Sequence, residues 1–567
     1  MIKRIIAFLC MLSMFSASVS AFSFPEPDWG ALLQEKTRMV TESDFGLYVE
    51  GDLSKVPYFG ARLEPKNGVY IGSIAENAEK LKPLSAYLTY IEDMGQLDLY
   101  YPANNMIKSD NVAPMIGWTI HSLDNIDYSK IENVLKTLNS YNKPMFIRFA
   151  NEMNVSALGN DPQKYVQTFR RVADMIHKYP NFAVVWAPND LGALDRPFEY
   201  FYPGDSYVDW IGVSCYSIKY FQGKQNTEYK DSVYFMTGDY AWATNRIKPI
   251  VEFMAEKNIK KPVMVSEGGV PTNNKFGENL EEWASPRLQN MMWYLVMKYP
   301  QIKMVNYFDT HRANAAERFD ITNYSYATDI FNEAKNSGVY KKSATESAKF
   351  TFAPANSDGT LVAKDGKFKL YTLAYFEKQP AITVNYYLDG KWYHSSNKIP
   401  YICNLNISSL SDGKHSLKIS TLGNEKTYDF YKQGSCIQFG GTPDAAIVAA
   451  NTKQIKVLLN GVEIKFDQPP IIKNGRTLVP LRAVFDALGA TVDWDGNTQT
   501  ATAKKGDKTV KVQIDSKNMY INDEVKVLDV SAQLINSRTL VPARAVSEAF
   551  ECKVDWDGAT QTVIITK

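Results

Sequence analysis

Cysteine and histidine are scarce in this chain: five of each in 567 residues. The histidines are scattered, and no two cysteines have the close spacing of a zinc clamp. The composition therefore argues against a histidine- or thiolate-built metal centre, and no cofactor is expected. An excess of either charge is also missing, with 63 basic and 62 acidic residues and a formal net charge of +1. Such balance leaves no electrostatic footprint for nucleic acid or for an anionic membrane. Beyond the N-terminus no stretch reaches the roughly 18 apolar residues of a membrane helix, so no transmembrane segment is expected in the mature chain.

The one long apolar run is at the start. Lys3 and Arg4 precede Ile5 to about Val19, and Val19-Ser20-Ala21 supplies small residues for cleavage. This reads as an export signal over 1–21 cut after Ala21, which predicts a secreted or cell-envelope protein. Cys10 would leave with it. Of the remaining cysteines, Cys403 and Cys436 fall in one β-rich region and could pair in an oxidising compartment, whereas Cys215 and Cys552 read as lone core residues.

The length is too great for one core, and the texture changes along it. From 22 to 342 short apolar runs alternate with amphipathic segments, which predicts an α/β fold with a parallel sheet. Eight runs qualify as strands: FGLYVE, LSAYLTYIE, APMIGWTI, PMFIRFANE, FAVVWAPN, VDWIGVSCY, PVMVSEGG and IKMVNYFDT. Ile131, Val134, Leu135 and Leu138 share one helix face, as do Tyr165, Phe169, Val172 and Ile176; the second helix is expected to open at Asp161-Pro162. Eight strands make a (β/α)8 TIM barrel. From 343 to 437 short alternating strands with Asp-Gly turns predict a β-sandwich. A linker is expected over 438–453. From 454 to 567 an α+β unit occurs twice, since NGRTLVPLRAVFDALGATVDWDGNTQT returns as NSRTLVPARAVSEAFECKVDWDGATQT. Each copy reads as strand, Arg-Thr-Leu-Val-Pro turn, short helix and hairpin.

Two glutamates carry the chemistry. Glu152 ends the fourth predicted strand and Glu267 the seventh, and in a barrel the C-terminal strand ends converge on one face. Two carboxylates there are the minimum equipment for hydrolysing a glycosidic bond. The high aromatic share, 13%, suits sugar faces, which stack on rings.

The run Arg148-Phe149-Ala150-Asn151-Glu152-Met153-Asn154, with VVWAPND after strand five and YPGDSYVDWIGVSCY through strand six, resembles glycoside hydrolase family 26, best known for endo-β-mannanases. The resemblance spans roughly residues 40–315. It implies a retaining endo-β-glycosidase acting on a polysaccharide, with Glu152 as acid/base and Glu267 as nucleophile. It further implies that Asn151 binds the sugar hydroxyl beside the reacting carbon. From their strand positions, Arg148 is expected to keep the nucleophile ionised through charge-assisted hydrogen bonds, and Tyr216, ending strand six beside strand seven, to orient it. Trp118, Trp186, Asn189, Tyr307 and His311, at or near strand ends, would line the sugar subsites. The family's mannanases place histidine before the acid/base and tryptophans after it; here Asn151 precedes it and Ala157 stands where a stacking ring is expected. The sugar is therefore open. A non-catalytic envelope or glycan-binding protein on the same scaffold is the alternative.

Leu388-Asp389-Gly390 and Asp412-Gly413-Lys414-His415 resemble turns of bacterial immunoglobulin-like modules. The C-terminal repeat resembles the stalk domain named after the N-terminal part of copper amine oxidases, but the chain has no histidine after His415 to hold copper. That domain implies display of the catalytic module, or attachment to a cell-wall or envelope polymer.

Overall fold

The computed structural model describes residues 44–567 apart from 75–76, 93–110, 190–196, 220–238, 242–246, 275–278, 311–316, 358, 364–365, 377–381, 452–454, 474 and 559. The expected export signal and His311 lie outside the described residues. The chain divides into two compact units, one ending at Asp444 and one beginning at Ala445.

The first unit is built around eight parallel strands: β1 (Val69–Ile74), β2 (Ala86–Glu92), β3 (Ala113–Thr119), β4 (Met145–Phe149), β5 (Phe182–Trp186), β6 (Trp210–Tyr216), β7 (Val263–Gly269) and β8 (Ile302–Tyr307). Each pairs with the next in order, and β8 pairs back onto β1, Met304 to Tyr70 through Tyr307 to Ser73, which closes the barrel. Alternate residues point inward, where Leu88, Met115, Phe146, Trp210, Met264 and Met304 fill the interior. The others face a larger core under the helices. Two helices cover that face as their periodicity predicts. Tyr128–Ser140 is capped by Asp127 and buries Ile131, Val134, Leu135 and Leu138. Pro162–Ile176 is capped by Asp161 and buries Tyr165, Phe169, Val172 and Ile176.

One expected barrel strand is elsewhere. Asp44–Gly51, which contains FGLYVE, runs antiparallel between Thr351–Pro354 and Lys367–Tyr375 in a four-stranded sheet completed by Tyr401–Asn406. The first barrel strand is instead VYIGSI. FGLYVE mixes buried, half-buried and exposed positions while VYIGSI is buried throughout, as a parallel strand covered on both faces is. The expected boundary at 342/343 is thus crossed by a strand from the barrel's side. The sandwich's second sheet has six antiparallel strands. The Thr372 and Tyr386 hydroxyls hydrogen-bond across the two sheets at 2.9 Å.

Cys403 and Cys436 lie on different sheets, and both are buried free thiols, as are Cys215 and Cys552. The expected linker 438–453 begins inside a strand, Cys436–Phe439, and contains a helix, Ala445–Asn451.

In the second unit Arg-Thr-Leu-Val-Pro is a strand rather than a turn, in both copies, at Arg476–Pro480 and Arg538–Pro542. The two pair antiparallel with each other, Val479 opposite Val541. A short helix follows each, and Phe485 meets Phe550 edge-on with centroids 5.1 Å apart. Neither repeat buries its apolar face alone; each supplies the other's core. Among the described residues no helix is long and apolar enough to cross a membrane, and no group of three or more metal-ligating side chains occurs.

Candidate active site

A shift of one residue in β7 creates the site. Val263 and Val265 face the outer core, and strict alternation would send Glu267 the same way. Between Val265 and Glu267 the register against β6 slips, so that Val265 opposes Val213 but Glu267 opposes Ser214. Ser266 packs on the interior side against Gly212, and the bulge turns Glu267 inward beside Ser214.

Glu267 is buried and meets three donors. Arg148 Nη1 donates to Oε2 at 2.8 Å, the Tyr90 hydroxyl donates to the same oxygen, and the Tyr216 hydroxyl donates to Oε1. Burial alone would raise its pKa. The Arg148 charge, followed by the hydrogen bonds from Tyr216, Tyr90 and Arg148, outweighs burial and lowers it, so the carboxylate is held ionised. Arg148 is fully buried, and its Nη2 donates to Ser214 Oγ at 2.6 Å. Burial and then the charge of Glu267 push both tyrosine hydroxyls well above their usual range, which keeps them donors.

Glu152 is placed by backbone rather than by strand. It follows β4 in a left-handed conformation, φ 56° and ψ 33°, and Ala150 also has positive φ at 47°. Two such residues without glycine cost on the order of 1–3 kcal/mol each. Neighbouring strands hold the turn: Ala150 N–H donates to Trp118 O at 2.9 Å and Glu152 N–H to Ala187 O at 2.8 Å. Asn189 Nδ2 donates to Glu152 Oε1 at 3.0 Å. Burial, and next the nearby negative charge of Glu267, raise the pKa of Glu152 against the opposing effects of Arg148, Ser214 and Asn189. One carboxyl is thus held charged and its neighbour biased towards the acid form.

Of the residues expected here, Glu152, Glu267, Arg148, Asn189 and Tyr216 come together. Asn151 lies between the two left-handed residues, and its buried Oδ1 takes no hydrogen bond from the protein. Trp118, Trp186 and Tyr307 are corrections. All three are buried in the core between barrel and helices. Trp118 packs edge-on against Phe149, Trp186 against Tyr202, and the Tyr307 hydroxyl bonds the main chain of Val270. Each sits at a strand position of outward parity, which nearness to a strand end does not reveal.

Tyr90, Ser214 and Asn154 were missed. The signal for Ser214 was its place two residues before Tyr216, which fixes it to the same face. Tyr90 lies at the end of β2, and Gly117 on β3 makes room for it, since a Cβ there would come within 2.7 Å of the Tyr90 ring.

Residues 119–296 match the model of glycosyl hydrolase family 26, and residues 458–565 that of the copper amine oxidase N-terminal domain. The glycosidase and stalk-domain resemblances read from the sequence are borne out. A β-1,3-xylanase, TXYA, of a Vibrio species is 26% identical over 129 residues, covering 21% of this chain and 26% of that protein. A protease inhibitor of Brevibacillus choshinensis is 29% identical over 126 residues, covering 22% and 38%. The chain thus spans well under half the length of either relative. The structure of a Cellulomonas fimi endo-β-1,4-mannanase double mutant aligns at 10% identity and a TM-score of 0.36, covering 67% of this chain and 99% of that one.

Proposed function

We propose that the family 26-like barrel hydrolyses a β-linked polysaccharide with retention of configuration, Glu267 being the nucleophile and Glu152 the acid/base. The observation that carries this reading is the opposed setting of the two carboxyls. Glu267 attacks the anomeric carbon while Glu152 gives its proton to the departing oxygen. Water, deprotonated by Glu152, then releases the sugar from Glu267. Asn151, whose buried oxygen the protein leaves unpaired, is placed to accept a hydrogen bond from the substrate. The enzyme acts outside the cytoplasm, a reading supported by the Lys3 to Ala21 pattern, and its C-terminal unit holds it to an envelope polymer.

The test is the configuration of the first product. NMR during the first minutes of hydrolysis should show the β-anomer; an α-anomer released first would exclude a glycosyl-enzyme at Glu267. The relatives named β-1,3-xylanases make β-1,3-xylan the first substrate to try, beside β-mannans. Inactivity across a broad panel of plant, algal and bacterial polysaccharides would favour a glycan-binding role instead.

Gly117→Ala provides a second check. The added methyl displaces Tyr90 from Glu267, removing a donor that lowers the pKa of the nucleophile. The acid limb of the pH–rate profile should move to higher pH and kcat fall roughly tenfold. Tyr90→Phe should reproduce both effects without the steric change. An unmoved acid limb in both variants would show that Tyr90 does not act on Glu267.

A further inference from the structure

We propose that Asn154 is a positioning residue: its carboxamide clasps the main chain of Asn189 and thereby aims the Asn189 side chain at Glu152. Asn154 is fully buried two residues beyond Glu152. Its Oδ1 accepts from Asn189 N–H at 2.8 Å, and its Nδ2 donates to Asn189 O at 2.9 Å. A carboxamide is the side chain that offers an acceptor and a donor side by side, as a neighbouring strand would. The clasp continues the barrel's pairing where β4 has already ended.

The other side of Asn189 is tied as well. It forms an isolated parallel bridge with Ser214, whose N–H donates to Pro188 O at 3.2 Å. Asn189, three residues past β5, is therefore held from the β4 turn and from β6, and its amide reaches Glu152 at 3.0 Å. Two bonds to the N–H and C=O of one residue fix orientation as well as distance, which one bond does not. Such orientation matters because a proton donor misplaced by a fraction of an ångström loses much of its effect.

The kinetic part of this inference rests on the glycosidase reading; the structural part does not. The titratable groups facing Glu152 are Glu267, Arg148, Tyr90 and Tyr216, and Ser214 and Asn189 each add a hydrogen bond that favours its ionised form. In the full chain labelled with carboxyl-13C glutamate, with the Glu152 resonance assigned through Glu152→Gln, Asn154→Ala should move the Glu152 titration to higher pH. Asn189→Ala should do the same, and the double variant should add nothing to Asn189→Ala. In turnover, Asn154→Ala should lower kcat/KM roughly five- to tenfold on a glycan while sparing an aryl glycoside whose leaving group needs no proton.

An unmoved Glu152 titration in a folded Asn154→Ala protein, or additive effects in the double variant, would overturn the proposal whether or not a substrate is found. Should the alanine variant fail to fold by circular dichroism, the isosteric Asn154→Asp carries the same comparison. Its effect vanishes in the Asn189→Ala background if Asn154 acts through Asn189, and persists there if it does not.

Discussion

Glu267→Gln is expected to lower kcat by about 10⁴-fold or more, because in the proposed reaction it removes the oxygen that bonds to the sugar. Glutamine keeps the shape of the side chain but cannot accept from three donors at once. Its NH2 group must face either Tyr216, which donates to one oxygen of Glu267, or Tyr90 and Arg148, which both donate to the other. The loss extends to the fold. Arg148 is fully buried, and its ion pair with Glu267 is 2.8 Å long. Removing one partner of such a pair costs about 3–5 kcal/mol, since the other charge is left buried and uncompensated. Arg148→Met in the same chain should therefore restore part of the thermal stability that Glu267→Gln loses, while restoring no activity. Glu152 supplies a separate readout. The charge of Glu267 helps raise its pKa, so in Glu267→Gln the Glu152 carboxyl should titrate at lower pH than in the wild type. Turnover of the purified variant within tenfold of wild type would sink the assignment of Glu267.

Glu152→Ala should cost about 10²- to 10⁴-fold on a polysaccharide, the usual contribution of a general acid. An aryl glycoside with a good leaving group should lose much less in the glycosylation step, because that group departs without a proton. The pH profile separates the two roles. The proposed mechanism requires Glu267 ionised and Glu152 protonated. The pKa of Glu267 is lowered and that of Glu152 raised from the ordinary carboxylate value of 4.5. Wild-type activity should thus rise through a limb below that value and fall through a limb above it. In Glu152→Ala the falling limb should disappear while the rising limb stays. A falling limb that survives unchanged would assign the proton donor to another group.

The pair of glutamates was legible in the sequence for a physical reason: both follow apolar runs, and strand ends in a barrel share a face. Seven of the barrel's eight strands were legible too; the remaining one is VYIGSI rather than FGLYVE. FGLYVE and VYIGSI are both apolar enough for a strand, and only pairing tells them apart. What the sequence concealed was parity. Trp118 and Trp186 sit close to strand ends, but each points towards the helices. Glu267 has the outward parity of Val263 and Val265 by simple counting and faces inward only because β7 slips by one residue. The clasp of Asn154 on Asn189 joins residues 35 apart through a main-chain contact, and no periodicity announces such a bond. Burial follows local pattern closely; the direction of a side chain at a bulge or a left-handed turn follows tertiary contacts.

The strand Asp44–Gly51 has one more consequence, and it concerns time. It leaves the ribosome before any barrel strand, but its partners lie at Thr351–Pro354 and Lys367–Tyr375. Leu47, 1% exposed in the folded chain, donates its N–H to the Tyr428 hydroxyl 381 residues later. Throughout synthesis of the barrel this edge must wait unpaired, at an elongation rate of roughly 5–20 residues per second. A catalytic fragment ending at residue 342 would make that wait permanent and leave an apolar strand open to self-association.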